Sequence, residues 1–339
     1  MRAMAIENNF GVENLHLVER PVVDPGPGEV RLRMLTASLN YRDWLMVQGF
    51  YNPRQPLPLI PCSDGVGLVE AVGEGVERVA PGDRVATLFA QRWISGRPTV
   101  EKLRSTLGGP FDGTLAQHMV LSAEGVVPVP EHLSDEEAAT LPCAALTAWS
   151  ALVTEGQVKA GDTVLLLGTG GVSIFALQIA QLCGCRVIIT SSSDEKLERA
   201  RALGAWQGIN YRSTQRWGKK VLELTEGRGA DHVVEVGGAG TLEQSLTAAA
   251  VGGTVSLIGV LSGGSADVGI ISALMKQLRL QGILVGHREG FEAMNRAFTA
   301  ASLKPVVDRV LPFEEAPEAL RQMAEGSHFG KICLRIGER

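Results

Sequence analysis

Hydrophobic positions change their rhythm once along the chain. Up to about residue 130 they come as short alternating or continuous runs: Met1–Glu7, Leu15–Glu19, Val30–Ala37, Gly67–Val72, Arg84–Leu88, Thr114–Val120 and Val126–Val129. Pro/Gly turns such as Asp24-Pro25-Gly26-Pro27-Gly28 and Pro81-Gly82-Asp83 separate them, a pattern that predicts a β-rich domain. From about Ala145, apolar strands alternate with helical stretches instead. Thr163–Leu167, Arg186–Thr190, Gly208–Asn210, His232–Val236, Gly253–Ile258 and Leu280–Val285 read as six strands. Val172–Leu182, Asp194–Leu203 and Gln215–Thr225 read as helices between them. Such a series calls for a parallel sheet covered on both faces, an α/β architecture. The tail holds a helix (Glu292–Ala300), a strand (Val306–Leu311), a helix (Pro317–Ala324) and a closing strand (Lys331–Ile336), and does not extend the series. It is expected to return to the first domain. The predicted organisation is therefore 1–145 completed by 287–339, with 146–286 as the sheet domain.

Length and composition narrow this picture. A chain of 339 residues suits about two domains, and 45% apolar with 20% charged residues argues against disorder. The net charge of −5, without a Lys/Arg tract, makes a nucleic-acid or anionic-membrane surface a poor expectation. Met1–Phe10 does not resemble a signal peptide, and the apolar segment Val164–Ala180 is too short, and interrupted by Gly168–Gly171, to span a bilayer. Five Cys form no disulfide framework, so a reducing, cytoplasmic setting is expected; Cys183 and Cys185 read as plain thiols.

Gly168-Thr169-Gly170-Gly171-Val172-Ser173 lies between a predicted strand and a predicted helix. That is where a dinucleotide loop needs glycines for a tight turn and backbone amides facing a pyrophosphate; the third glycine position is Ser173. NAD sites place a carboxylate about 20 residues further on, at the end of the second strand, to bind the ribose 2′-OH. Here that place holds Ser191, Ser192 and Ser193, with Lys196, Arg199 and Arg212 near in sequence. Hydroxyls can donate to a 2′-phosphate and no carboxylate repels it, so NADP(H) is favoured over NAD(H); the same serines also suit a cap for the helix at Asp194. Gly237, Gly259, Val260, Leu284 and Val285 follow the ends of the last three strands, where ligands bind in such sheets.

Several segments carry a resemblance that covers the chain. They are Leu39-Asn40-Tyr41-Arg42-Asp43, Val76 through Val85, Asp112-Gly113-Thr114-Leu115-Ala116, Leu141 through Trp149, Leu167–Val172, Ala202-Leu203-Gly204-Ala205, Gly229-Ala230-Asp231 and Phe329-Gly330-Lys331. Together they are similar to the medium-chain dehydrogenase/reductase superfamily, in particular its zinc-free, quinone-oxidoreductase-like branch and alcohol-dehydrogenase-like neighbours. The resemblance implies a doubly wound, six-stranded Rossmann sheet with a GroES-like catalytic domain. In zinc-dependent members the first catalytic ligand is a Cys where this chain has Asn40, and the second a His where it reads Cys62-Ser63-Asp64. Only Cys143 stays at a ligand position, and Gln91–Pro110, matching the structural zinc lobe, contains no Cys. A catalytic Zn²⁺ needs three protein donors, so no metal is expected.

Without a Lewis acid, hydrogen-bond donors must stabilise charge on the acceptor oxygen, which favours quinones and activated alkenes over simple ketones. Tyr51 matches a tyrosine that similar enoyl-thioester and quinone reductases present to substrate; Tyr41 adjoins Asn40, and either hydroxyl can act as a donor. Arg42 replaces the hydroxyl residue of the alcohol-dehydrogenase proton relay. The resemblance further implies that Asn40 donates to cofactor or substrate, that Thr147 contacts the nicotinamide end, and that Tyr211 and Lys331 reach cofactor phosphates. It also implies a homodimer joined edge to edge at Leu280–Val285, in some relatives a tetramer. The expected activity is NADPH-dependent reduction of a quinone or enone, a small-molecule substrate. The alternatives are a metal-free alcohol dehydrogenase or carbonyl reductase, and an NADPH-binding regulatory protein.

Overall fold

Strand Glu29–Ser38 shows how the alternation builds the catalytic half. Val30, Leu32 and Met34 are buried on one face, while Arg31 and Arg33 lie on the other beside Glu70, which also meets His118 at 3.2 Å. From Leu35 onward every residue of the strand is buried, so its end runs into the interior at Leu39 and Asn40.

In the computed structural model, which describes residues 1–265 and 267–338, the chain divides into two units. Ala266 and Arg339, the latter closing the predicted C-terminal return, lie outside the described residues. The first unit is Met1–Leu146 with Gly286–Arg339, and the second is Thr147–Val285. In the first, Glu29–Ser38 pairs antiparallel with Asp64–Val72, His118–Ser122 and Lys331–Arg335. Arg84–Thr87 and Val126–Pro128 extend the sheet on one side, and Val307–Pro312 adds a parallel strand at the other. The register Cys333↔Ser38 sets Lys331 beside the end of the central strand, where Leu39 N–H donates to the Ile332 carbonyl. Gly330 permits that entry: it has φ +86°, and a Cβ there would lie 2.4 Å from the Val306 oxygen.

The second unit is a Rossmann sheet. Its parallel strands run, across the sheet, Gln207–Asn210, Arg186–Ser191, Thr163–Leu166, Ala230–Glu235, Ala249–Leu257 and Arg279–Gly282. In sequence numbering that is 3-2-1-4-5-6, with the winding reversing between the first and fourth strands, where such folds bind dinucleotides. Thr163–Leu166 is buried throughout, which is why it reads as a continuous apolar run.

Differences from the sequence expectation that bear on the two units are these. Tyr41–Val47, to which the sequence pattern assigns no element, is a helix, begun by Asn40 in extended conformation with the Asp43 carboxylate accepting from Asn40 N–H at 2.8 Å. The strand expected at Thr114–Val120 is His118–Ser122, because Thr114 spends its hydroxyl on the Asp64 carbonyl. The sixth strand ends at Gly282 and not at Val285, which adopts φ +53°. Among the described residues, no helix is long and apolar enough to cross a membrane.

Candidate active site

In the first unit the end of the central strand, the helix it enters and the C-terminal strand converge on a buried polar cluster. Lys331, 3% exposed, donates from Nζ to the Leu39 carbonyl and to Asn40 Oδ1, each at 2.5 Å. Asn40 Nδ2 is buried and makes no well-formed hydrogen bond, although the side chain stands beside the Asp64 carboxylate and helps to hold its pKa down. Asp64 is fully buried, its two oxygens accepting from Ser63 Oγ at 2.7 Å and Cys143 N–H at 3.0 Å. Burial raises the Asp64 carboxyl above its ordinary range, opposed by the Lys331 ammonium and these hydrogen bonds. Burial likewise lifts Asp43 to about 6, against the pull of Arg42.

Arg42 is committed to structure. Its guanidinium donates to the Leu107 and Gly109 carbonyls at 2.6 and 3.1 Å, lies 3.6 Å from Asp43, and sits 5.1 Å from the ring centroids of both Tyr51 and Phe89. That contact seats Tyr51, which remains 44% exposed, whereas Tyr41 packs against the core. Cys62 adopts φ +70° behind the cluster, and Gly108 and Gly113 allow the close approach: Cβ atoms there would lie 2.7 and 1.9 Å from the Cys62 oxygen.

This donor set does not fit a catalytic zinc. Asn40 and Ser63 stand at two ligand positions, and the amide oxygen of Asn40 is taken by an ammonium. That leaves Cys143 as the one residue of the three able to ligate, too few for a catalytic zinc. Among the described residues no group of three or more His, Cys, Asp or Glu is arranged to hold a metal. Lys331 also departs from the expectation that it reaches cofactor phosphates. Strand insertion beside Glu29–Ser38 turns it inward onto Asn40.

The second unit presents the dinucleotide loop. Gly168 has φ +73°, Gly170 caps the helix Gly171–Leu182 that opens at Gly171-Val172, and Ser173 Oγ donates back to the Leu167 carbonyl at 2.7 Å. A Cβ at Gly168 or Gly170 would meet no atom within 4 Å, so the loop leaves open space before the unpaired amides of a helix start, a fit for a nicotinamide dinucleotide's pyrophosphate. At the end of the second strand, Ser191 Oγ accepts from Ser193 N–H and Ser193 Oγ caps the next helix through Lys196 N–H, both at 3.3 Å; Ser192 is half-buried between them. Tyr211 N–H donates to the Ser191 carbonyl, leaving its ring 42% exposed. Asp194 is occupied by Asn210 Nδ2 at 2.8 Å. Thr147 and Val285 are buried; Val260 and Leu284 are exposed.

Sequence reasoning passed over Glu235. This buried carboxylate ends the fourth strand and accepts from Gly237 N–H, Gly238 N–H and Thr241 Oγ1 at 2.7, 2.9 and 2.7 Å, and from Ser245 Oγ. It thereby fixes the Gly237–Gly240 loop, on which the Gly259–Gly263 loop rests through Ser262 and Ala239. A charged residue closing an apolar strand just before two glycines is the signal that was available. Glu235→Leu leaves these donors unpaired and is expected to cost about 3–5 kcal/mol, read as a lowered urea midpoint. Glu235→Gln, keeping one acceptor oxygen, is expected to cost less.

Comparison with known proteins identifies the family of both units. Residues 26–131 match the alcohol dehydrogenase GroES-like domain and residues 171–300 the zinc-binding dehydrogenase domain. The chain is 44% identical over 316 residues to a zinc-type alcohol dehydrogenase-like protein of Schizosaccharomyces pombe, covering 91% of each. Among solved structures, it is similar to a putative alcohol dehydrogenase from Sinorhizobium meliloti, with TM-score 0.91 and 44% identity over 98% of each chain. It is also similar to a crotonyl-CoA carboxylase/reductase in complex with NADP, with TM-score 0.89 and 26% identity over 99% of this chain and 94% of that one. A GroES-like unit and a Rossmann unit carrying an open dinucleotide loop thus place the chain in the medium-chain dehydrogenase/reductase superfamily, as an NAD(P)-dependent oxidoreductase.

Proposed function

We propose that the protein is a zinc-independent reductase that uses NADPH to reduce a conjugated carbonyl acceptor, a quinone or an enone. The observation that carries this reading is the replacement of a metal-ligand set by Asn40, Ser63 and a buried ammonium on Asn40 Oδ1, with Asn40 Nδ2 making no well-formed hydrogen bond. A bound nicotinamide supplies the hydride. Asn40 then donates to the acceptor oxygen as negative charge develops, and the exposed Tyr51 hydroxyl, seated by Arg42, delivers the proton. Neutral donors stabilise a delocalised enolate or phenolate more readily than the localised alkoxide of a simple ketone. The similarity to an NADP-bound crotonyl-CoA reductase supports a conjugated acceptor, while the alcohol dehydrogenase names of the relatives at 44% identity favour secondary alcohols as the second reading. Turnover of a quinone, an enone and a secondary alcohol under one set of conditions separates them: faster turnover of the alcohol than of both conjugated acceptors defeats the first reading.

Gly168, Gly170, Gly171 and Val172 hold the pyrophosphate in this reading, with Ser191, Ser192, Ser193, Lys196 and Tyr211 around the 2′-phosphate. Gly237, Gly259, Val260, Leu284, Val285 and Thr147 line the second unit's path to the nicotinamide, and Asn40 is the first unit's donor.

Among the described residues the last sheet strand, Arg279–Gly282, is paired on one side only, and Ile270, Ile271, Leu274 and Met275, shortly before it in sequence, are 77, 71, 71 and 73% exposed. Apolar side chains beside an open strand edge call for cover, and the occupant proposed is a second copy of this chain. Native protein is expected to show twice the 36.1 kDa chain mass by light scattering, and the Ile271→Glu, Leu274→Glu double variant a single mass. A monomeric native protein refutes the pairing.

A further inference from the structure

We propose that Lys331 is a positioning residue that supplies the fixed cation of the active site and sets the direction of the Asn40 amide. This rests on the reading of Asn40 as the donor to the acceptor oxygen. An ammonium has three donors and no acceptor, so the Asn40 atom facing Nζ must be the oxygen. The assignment of the amide's two ends, ordinarily a choice between similar atoms, is dictated here by chemistry. Nδ2 is therefore turned away from Lys331; it lies on the side of the Asp64 carboxylate without forming a well-aligned hydrogen bond, and so can turn its donors to an acceptor oxygen.

The cation does more than orient. Drawing electron density through the amide, an ammonium on Oδ1 strengthens the Nδ2–H donors, so charge is relayed from Nζ through Asn40 to whatever oxygen Nδ2 meets. Lys331 cannot easily leave this arrangement. Its Nζ is buried, held by two oxygens, and stands among Asp43, Asp64 and Arg42, so the cluster carries two acidic and two basic groups. The strand behind it is pinned by Gly330 and by Lys331 N–H donating to the Val306 carbonyl at 3.1 Å. An internal lysine therefore stands where a metal would bring positive charge in a zinc-dependent relative.

The test compares Lys331→Met and Lys331→Gln with the native enzyme, measuring NADPH dissociation by fluorescence and kcat on whichever of the quinone, enone or alcohol the native enzyme turns over fastest. Lys331→Met is expected to lower kcat by about 30-fold, part of what loss of a whole oxyanion donor costs, with NADPH affinity changed less than about threefold. Lys331→Gln keeps a donor toward Asn40 without the charge and is expected to recover part of that loss. In a double variant with Asn40→Leu, the two effects on kcat are expected not to multiply, since both act through one amide. If Lys331→Met does not fold, Lys331→Gln against native enzyme carries the comparison. An NADPH affinity about tenfold weaker with kcat unchanged would overturn the proposal and put Lys331 on the cofactor phosphates; multiplying effects would overturn the route through Asn40. Because the substrate is the one the native enzyme prefers, an alcohol preference defeats the conjugated-acceptor reading while leaving Lys331 under test.

Discussion

Asn40→Asp is expected to lower turnover of a conjugated acceptor by about 10³-fold, and Asn40→Leu by about 10²-fold. The order of their effects on stability is expected to be the reverse. Aspartate keeps the shape of the side chain and an oxygen for Lys331, whose ammonium stays paired. What it loses is the Nδ2 donor, and what it adds is a negative charge beside the oxygen on which charge develops. Leucine also removes the donor, without adding repulsion, but strands a buried ammonium with only the Leu39 carbonyl. The melting temperature of Asn40→Leu should thus fall below that of Asn40→Asp although its activity is higher. Thermal melts and initial rates on the same preparations check both orders. Activity of Asn40→Asp within a few-fold of native means that Nδ2 is not the donor and that the Tyr51 hydroxyl carries the burden alone.

The two units differ in how much of this was legible from the chain. The Rossmann series declares itself because its central strands, such as Thr163–Leu166 and Arg186–Ser191, are separate apolar runs followed by a turn and a helix, so local periodicity and global topology coincide there. The glycines at 168 and 170 are readable for the same reason: the chemistry of a phosphate loop is contiguous in sequence. The catalytic cluster is not contiguous. Asn40 and Lys331 are brought together only by the antiparallel register of Lys331–Arg335 with Glu29–Ser38, which no local pattern encodes, so the lysine read as a phosphate contact. Arg42 fails for a related reason. Compared with a hydroxyl at that place it looks like a lost relay, whereas folded it is a guanidinium platform between two aromatic rings. The helix at Tyr41 was readable in part, since Asn40 and Asp43 have the spacing of a reciprocal cap.

Cofactor choice gives the second large effect. Ser191→Asp is expected to weaken NADPH binding by about 100-fold and to strengthen NADH binding several-fold, inverting the preference. Ser191 is the last residue of the second sheet strand, where NAD-binding folds place the carboxylate that accepts from the ribose 2′-OH. Its Oγ already accepts from Ser193 N–H, and an aspartate oxygen can take over that bond, so the turn and the cap at Ser193 need not move. In the proposed NADPH reading the new carboxylate would face the 2′-phosphate. Roughly 3 kcal/mol of repulsion at a partly screened site corresponds to about a hundredfold in affinity. The same carboxylate gains a hydroxyl donor from NADH. Screening separates this cause from distortion of the loop: raising salt should narrow the gap between the two cofactors in the variant, because only NADPH carries the charge being repelled. Lys196→Gln should act in the native background in the same sense but more weakly, lowering affinity for NADPH while leaving NADH nearly untouched. Equal weakening of both cofactors by Ser191→Asp, insensitive to salt, would mean that the three serines serve the helix that begins at Asp194 and take no part in telling the two cofactors apart.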